Sequence, residues 1–185
     1  AGLSAGARRD HAEDFGADAA MSAHALKIRA VESFDLPVLA ALHEACFTAP
    51  WDQHWSQRSF SEVLAMPGAG ARIAAVGAEP VGFALARVAA DEAELLLLGV
   101  HPEYRRAGHA GALLAHLIAE LTAAGASRVF LEVAEANAPA IAFYRSAGFR
   151  PVGRRPGYYD GRDRGGRASD AIILARALHE EIPPD

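Results

Sequence analysis

Three places in the sequence carry side chains, or bare backbone, whose type and spacing suit chemistry. The first is the turn Arg105-Arg106-Ala107-Gly108-His109-Ala110-Gly111, between an apolar run and a strongly amphipathic segment. The first-turn N–H groups of a helix have no intrahelical partner and carry its positive dipole end. Gly108, Ala110 and Gly111 have little or no side chain, so an anion can approach that backbone closely, and Arg105 and Arg106 add charge beside it. The chemistry implied is pyrophosphate binding on main-chain amides. A plain strand-to-helix turn, in which the glycines only permit the bend, accounts for the same residues. A dinucleotide fingerprint fits less well, because Gly-x-Ala stands where Gly-x-Gly-x-x-Gly is required and the segment lies mid-chain.

The second place is Glu132. In a strand RVFLEV over 128–133, Val129, Leu131 and Val133 share one face while Phe130 and Glu132 share the other. A carboxylate there is costly to bury unless its charge is used or neutralised. A general base and a strand-edge glutamate facing solvent both fit that spacing. The third is Tyr144, in the stripe Ala140, Phe143, Tyr144 and Ala147. A buried tyrosine directs its hydroxyl at a partner, which is either a reacting atom or an ordinary core acceptor. Asn137, just ahead of Pro139, can cap the helix that carries Tyr144. His43 and Cys46 stand three apart on a helix, but two ligands alone make a poor metal site, and no metal is expected. Trp51 and Trp55 either line a groove or pack, and Arg154, Arg155, Arg162, Arg164 and Arg167 form the local basic cluster.

The elements that must hold these residues follow from periodicity and punctuation. Leu26, Ile28 and Ala30 alternate with Lys27 and Arg29 as in a half-buried strand. Asp35 is expected to cap a helix with Pro37 in its first turn and Leu39, Leu42 and Cys46 as its stripe. A second helix is predicted from Ser59, where Ser59 and Glu62 fit a capping box, to Pro67-Gly68. Strands around 71–76 and 81–89 follow, and Glu94 to Val100 reads as a strand buried on both faces. Ala110, Leu113, Leu114, Leu117, Ile118 and Leu121 make one core-facing helical stripe closed by Gly125. After the strand at 128–133 and a helix from Asn137 to Gly148, two last strands are predicted at 149–157 and 169–176. The order is β-α-α-β-β-β-α-β-α-β-β, a mixed α/β sheet. Residues 21–185 read as a single domain, and 1–20 as a poorly ordered extension ahead of Met21.

Composition narrows the class. The chain has 185 residues, 51% hydrophobic and 22% charged, enough to fill one core. A formal net charge of −5 with no long basic stripe argues against direct nucleic-acid or anionic-membrane binding. No apolar stretch approaches the ~20 residues of a spanning helix. Lys27 is the only lysine, which excludes a Gly-x-x-x-x-Gly-Lys nucleotide loop, and one cysteine, Cys46, excludes an intrachain disulfide. A cytoplasmic enzyme is the expectation.

Arg105-Arg106-Ala107-Gly108-His109-Ala110 resembles the Arg/Gln-x-x-Gly-x-Gly/Ala signature of the GNAT acyltransferases. LEVAEANAPAIAFYRSAGF, residues 131–149, is similar to the Leu-Glu-Val…Asn…Ala-x-x-x-Tyr…Gly-Phe block of the RimI-like branch, which acetylates protein N-terminal amines. RRPGYYDG at 154–161 and SDAIILA at 169–175 resemble that branch's closing strands, so matching features span about 26–178. The resemblance implies a GNAT fold, a mixed and mostly antiparallel sheet of six to seven strands flanked by about four helices. It implies acetyl-CoA as cosubstrate, with Arg105, Arg106, Ala107, Gly108, His109, Ala110 and Gly111 around the pyrophosphate. Backbone groups of Leu98, Gly99 and Val100 would bond the pantetheine where their strand splays from its neighbour, and Asn137 would contact the same arm. Glu132 is implied as the base, acting through water, and Tyr144 as the proton donor. The implied acceptor is a peptide or protein N-terminus, such as that of a ribosomal protein. A small-molecule amine acceptor, a non-catalytic coenzyme A-binding module and nucleotide binding without acyl chemistry are the alternatives. The sequence departs from the branch at Glu135, where arginine is common, at the longer segment 50–56 and at the arginine-rich 160–168. All three bear on the acceptor.

Overall fold

The computed structural model of the chain describes residues 25–159 and 169–179. Seven strands, β1 (Leu26–Ala30), β2 (Ala69–Val76), β3 (Glu79–Ala89), β4 (Glu92–Val100), β5 (Arg128–Ala134), β6 (Arg150–Tyr159) and β7 (Ser169–Ala177), form one sheet in the order β1-β2-β3-β4-β5-β7-β6. Every neighbouring pair is antiparallel except β4 and β5. The helices are α1 (Leu36–Cys46), α2 (Gln57–Leu64), α3 (His109–Ala123) and α4 (Ala138–Ser146). The expected order of elements and the mixed sheet are what the chain forms. The proposed extension 1–20 and the loop arginines Arg162, Arg164 and Arg167 lie outside the described residues.

Two cores sandwich the sheet. On one face the α3 stripe Leu113, Leu114, Leu117 and Leu121 packs against Val129, Leu131 and Val133 of β5, with Ala84 and Ala86 of β3. On the other, Leu39 and Leu42 of α1 and Phe60 of α2 cover Ile73, Phe83 and Leu85. Val129, Leu131 and Val133 are each 5% exposed or less, so the alternation in RVFLEV reports a real difference between faces.

Local chemistry moved three expected features. Asp35 does not cap α1 with its side chain. It ends a short 3-10 turn, and its carboxylate turns back to accept from the Glu32 amide at 2.9 Å and to pair with Arg29 at 2.6 Å. That guanidinium holds the Asp35 carboxyl below the usual carboxylate range. The capping box of α2 is Ser56 with Ser59, not Ser59 with Glu62, so α2 starts two residues earlier than expected. Finally, β4 is not buried on both faces throughout: Leu96, Leu97 and Leu98 are only partly covered.

The reason lies in the pairing of β4. Its parallel ladder with β5 runs from Glu92↔Arg128 to Leu95↔Leu131 and stops there. On its other edge the register with β3 slips, Ala86 facing Leu95 and Leu85 facing Leu97, so that Leu96 is an extra residue. Such a bulge bends the strand and re-aims its side chains. Beyond it, β4 leaves β5, and a wedge opens in the middle of the sheet.

Candidate active site

On the α3–α4 side the wedge is a groove of about 620 Å³, walled by Leu98, Gly99 and Val100 of β4, by the turn entering α3, and by Asn137, Ala140, Phe143 and Tyr144. Gly108 caps α3 at φ +84, in the left-handed region glycine tolerates. The first helical bond is the one Ala112 donates to the Gly108 carbonyl at 3.0 Å. The amides of His109, Ala110 and Gly111 therefore have no helix carbonyl behind them and lie at the positive end of the dipole. A Cβ on Gly108 or Gly111 would meet nothing within 4 Å, so the space over these amides is open. The residues fit a bound diphosphate.

Arg105 has a further task. Its guanidinium donates to the Val100 carbonyl at 3.1 Å and to the Cys46 carbonyl at 3.1 Å, tying the end of β4 to the end of α1. Arg106, at φ +67, follows it into the groove. Ala107 is not among the groove-lining residues, whereas Arg105, Arg106, Gly108, His109, Ala110 and Gly111 all are.

A second pocket of about 220 Å³ opens on the α1–α2 side, lined by Leu96, Leu97, Glu132, Trp51, Asp52, Tyr158 and Tyr159 among others. The two cavities share Phe47, Trp51 and Asp52 on one wall and Leu98, Asn137, Ala140 and Tyr144 on the other, so those residues stand where the contents of one would meet the contents of the other. Glu132 reaches the second pocket from the face of β5 opposite the core, and its side chain is 18% exposed. It is ion-paired with Arg155 at 2.9 Å, so it is neither a bare solvent-facing glutamate nor an unpaired buried charge.

Tyr144 is held by the way α4 ends. Gly148, at φ +88, lets its own amide bond the Arg145 carbonyl and the Phe149 amide bond the Tyr144 carbonyl at 3.0 Å. That pair of bonds is a Schellman cap, whose usual hydrophobic contact is here the Phe149 ring 5.6 Å from the Tyr144 ring. Burial pushes the Tyr144 phenol well above its ordinary range, with Tyr159 adding to the effect, so the hydroxyl keeps its proton. At the other end of the helix Asn137 accepts from the Ala140 amide at 3.2 Å, the expected cap, while also lining both cavities.

Several site residues escaped the sequence reading. Asp52, whose carboxylate accepts from the Ala49 amide at 2.7 Å, and Glu94 line the second pocket, and Tyr104 lines the groove. No local pattern marks them, because each is brought in by the course of a loop or by the β4 wedge. Of the two tryptophans, Trp51 lines both cavities, whereas Trp55 also packs on Phe60, 5.3 Å between ring centroids. His43 is 1% exposed and stacks on Phe47, and no metal-binding group occurs among the described residues. Cys46 lines the groove, but burial pushes its thiol up to about 11.

A wedge between a parallel pair of strands, with open helix amides on one side and a carboxylate and phenol at its mouth, is the architecture of an acyl-coenzyme A transferase. The chain belongs to the acetyltransferase (GNAT) family, whose model matches residues 36–149, and it is an N-acetyltransferase. It is 36% identical over 151 residues to the [ribosomal protein bS18]-alanine N-acetyltransferase of Escherichia coli (strain K12), covering 80% of this chain and 95% of that one. The crystal structure of the ribosomal-protein-S18-alanine N-acetyltransferase from Escherichia coli superposes with a TM-score of 0.74 at 33% identity, over 85% of this chain and 99% of that one. Arabidopsis thaliana NAA60 in complex with acetyl-CoA shares the fold, with a TM-score of 0.68 at 22% identity over 83% of this chain and 98% of that one.

Proposed function

We propose that the protein acetylates the N-terminal α-amine of a ribosomal protein, taking the acetyl group directly from acetyl-CoA. One observation carries the reading: β4 and β5 part after Leu95, and the two cavities this creates meet over Leu98, Asn137 and Tyr144 with Glu132 on the second pocket's wall. The relative whose printed acceptor is the alanine of bS18 supports the choice of amine. A ribosomal acceptor also fits a cytoplasmic enzyme.

Bound acetyl-CoA supplies an acyl group already activated as a thioester. The amides of His109, Ala110 and Gly111, with Arg106 beside them, would hold its diphosphate. The free edge of β4 at Leu98 to Val100 would bond the pantetheine amides as a neighbouring strand would. Glu132 takes one proton from the acceptor ammonium, directly or through a water. The freed nitrogen attacks the thioester carbonyl carbon, and the N–C bond forms as the C–S bond breaks. Tyr144 gives its hydroxyl proton to the departing sulfur, and the second amine proton leaves through solvent, by which the phenol is restored. The protonated thiol of Cys46 offers no acyl-enzyme route.

The test is an acceptor panel read by mass spectrometry. With acetyl-CoA present, a peptide carrying the bS18 N-terminal alanine should gain one acetyl group on its α-amine, while a polyamine stays unmodified. Acetylation of the polyamine alone would replace the protein acceptor with a small one. Absence of any heat on titrating acetyl-CoA would remove the donor site.

A further inference from the structure

Glu132 stands on the wall between the second pocket and a shallow depression of about 440 Å³ that runs across β3, β4, β5, β7 and β6. Arg155 lines the depression and not the pocket. It sits on β6, two strands from Glu132, and its side chain crosses the β7 row at Ile173 to place Nη1 2.9 Å from Glu132 Oε1. The guanidinium also lies 5.4 Å over the Tyr158 ring, and burial, with Glu132 adding to it, pushes the Tyr158 phenol up. Glu132 is thus gripped from outside, by a cation that stays out of the acceptor's space. The neighbouring Arg154 is engaged elsewhere, with Glu135 at 2.6 Å and Asp170 at 2.7 Å.

We propose that Arg155 is the positioning residue for Glu132, anchoring one carboxylate oxygen from the outer face so that the carboxylate is aimed at the acceptor amine. This rests on the reading of Glu132 as the base. A glutamate has three side-chain torsions, and a base misplaced by a fraction of an ångström loses much of its effect. A planar guanidinium braced on an aromatic ring fixes such a carboxylate better than a flexible ammonium does. Arg155 touches neither substrate, so its role is exerted through Glu132 alone.

The other charged or titratable groups lining the two cavities that Glu132 faces are Arg87 on β3, Glu92 and Glu94 on β4, His43 on α1, Asp52 in the α1–α2 connection, and Tyr144 on α4 with Tyr158 and Tyr159 on β6. Arg155 is the cation that contacts the carboxylate, and removing it leaves Glu132 without that anchor.

The experiment compares Arg155→Met and Arg155→Lys with the parent, in the Glu132 and the Glu132→Gln backgrounds. Arg155→Met should lower kcat on the acceptor peptide by about tenfold while KM for that peptide stays within about twofold. Its dissociation constant for acetyl-CoA should stay within about twofold of the parent, and Arg155→Lys should recover part of the rate. In the Glu132→Gln background the same substitution should add nothing. An unchanged kcat in Arg155→Met overturns the proposal, and so does a further tenfold loss in the Glu132→Gln background. Full activity of Glu132→Gln by itself overturns the base assignment, and the proposal with it. Should Arg155→Met not fold, Arg155→Lys decides: a partial rate loss that disappears in the Glu132→Gln background supports the role, and parent behaviour overturns it.

Discussion

The two cavities that meet at Tyr144 are built from different materials. The groove proposed for the coenzyme takes in the amides opening α3, the edge of β4 that β5 leaves and the small residues Gly99, Gly108 and Gly111, with Phe143 and Tyr144 beside them. The second pocket is made of side chains carried by separate elements, with Glu94 on β4, Glu132 on β5, Tyr158 and Tyr159 on β6, and Trp51 and Asp52 before α2. A donor that is always the same molecule can be held by chain geometry, which many sequences can supply. An acceptor that must be told from other amines needs side chains, and those can change one at a time. Of the departures from the branch pattern, Trp51 and Asp52 line both cavities, and Glu135, in the β5–α4 turn, lines neither. Glu135 binds Arg154 there, an acid-base pair joining the β5–α4 turn to β6.

The division can be attacked from either side. The largest effect is expected from Glu132→Gln, which should cut kcat by about a hundredfold or more while calorimetry finds acetyl-CoA binding unchanged. A matched loss of coenzyme affinity would merge the two halves into one site. Tyr144→Phe should slow transfer by about ten- to a hundredfold with both substrate affinities kept, since the ring still fills its place against Phe149. An unaltered rate would reduce Tyr144 to packing. Gly108→Val strikes the donor side alone. It forces a branched side chain into a left-handed residue, at about 1–2 kcal/mol, and fills the open space over the amides. The dissociation constant for acetyl-CoA should rise about tenfold, with kcat at saturating coenzyme little changed.

The smallest effect is one of pH. Asp170 accepts from the Gly157 amide at 2.8 Å and pairs with Arg154, and these contacts hold its carboxyl below the usual range. A carboxyl lowered on folding contributes its stability above the unfolded value, about 3.9, and loses it as pH falls through the folded one. Exchange of the Gly157 amide should therefore lose protection below about pH 4, while amides of α3 keep theirs. Equal loss in both would show that the acid dependence is global.

Much of this was legible beforehand, for physical reasons that differ by residue. The α3 stripe and the faces of β5 follow from periodicity, and Asn137 from the stereochemistry of a helix start. Ser56 and Ser59 each have a capping partner three residues on, so local pattern could not choose between them. Asp35 turned away from its helix because Arg29, on the preceding strand, offered a charge. The Leu96 bulge and the Arg155–Glu132 pair depend on strand neighbours distant in sequence, which no window along the chain contains.

The Schellman cap of α4 ties Tyr144 to the last turn of a nine-residue helix. Fraying of that last turn would retract the phenol while the sheet beneath remains intact. Turnover should then fade on warming before the molecule melts, making activity a thermometer of one helix terminus and not of global unfolding.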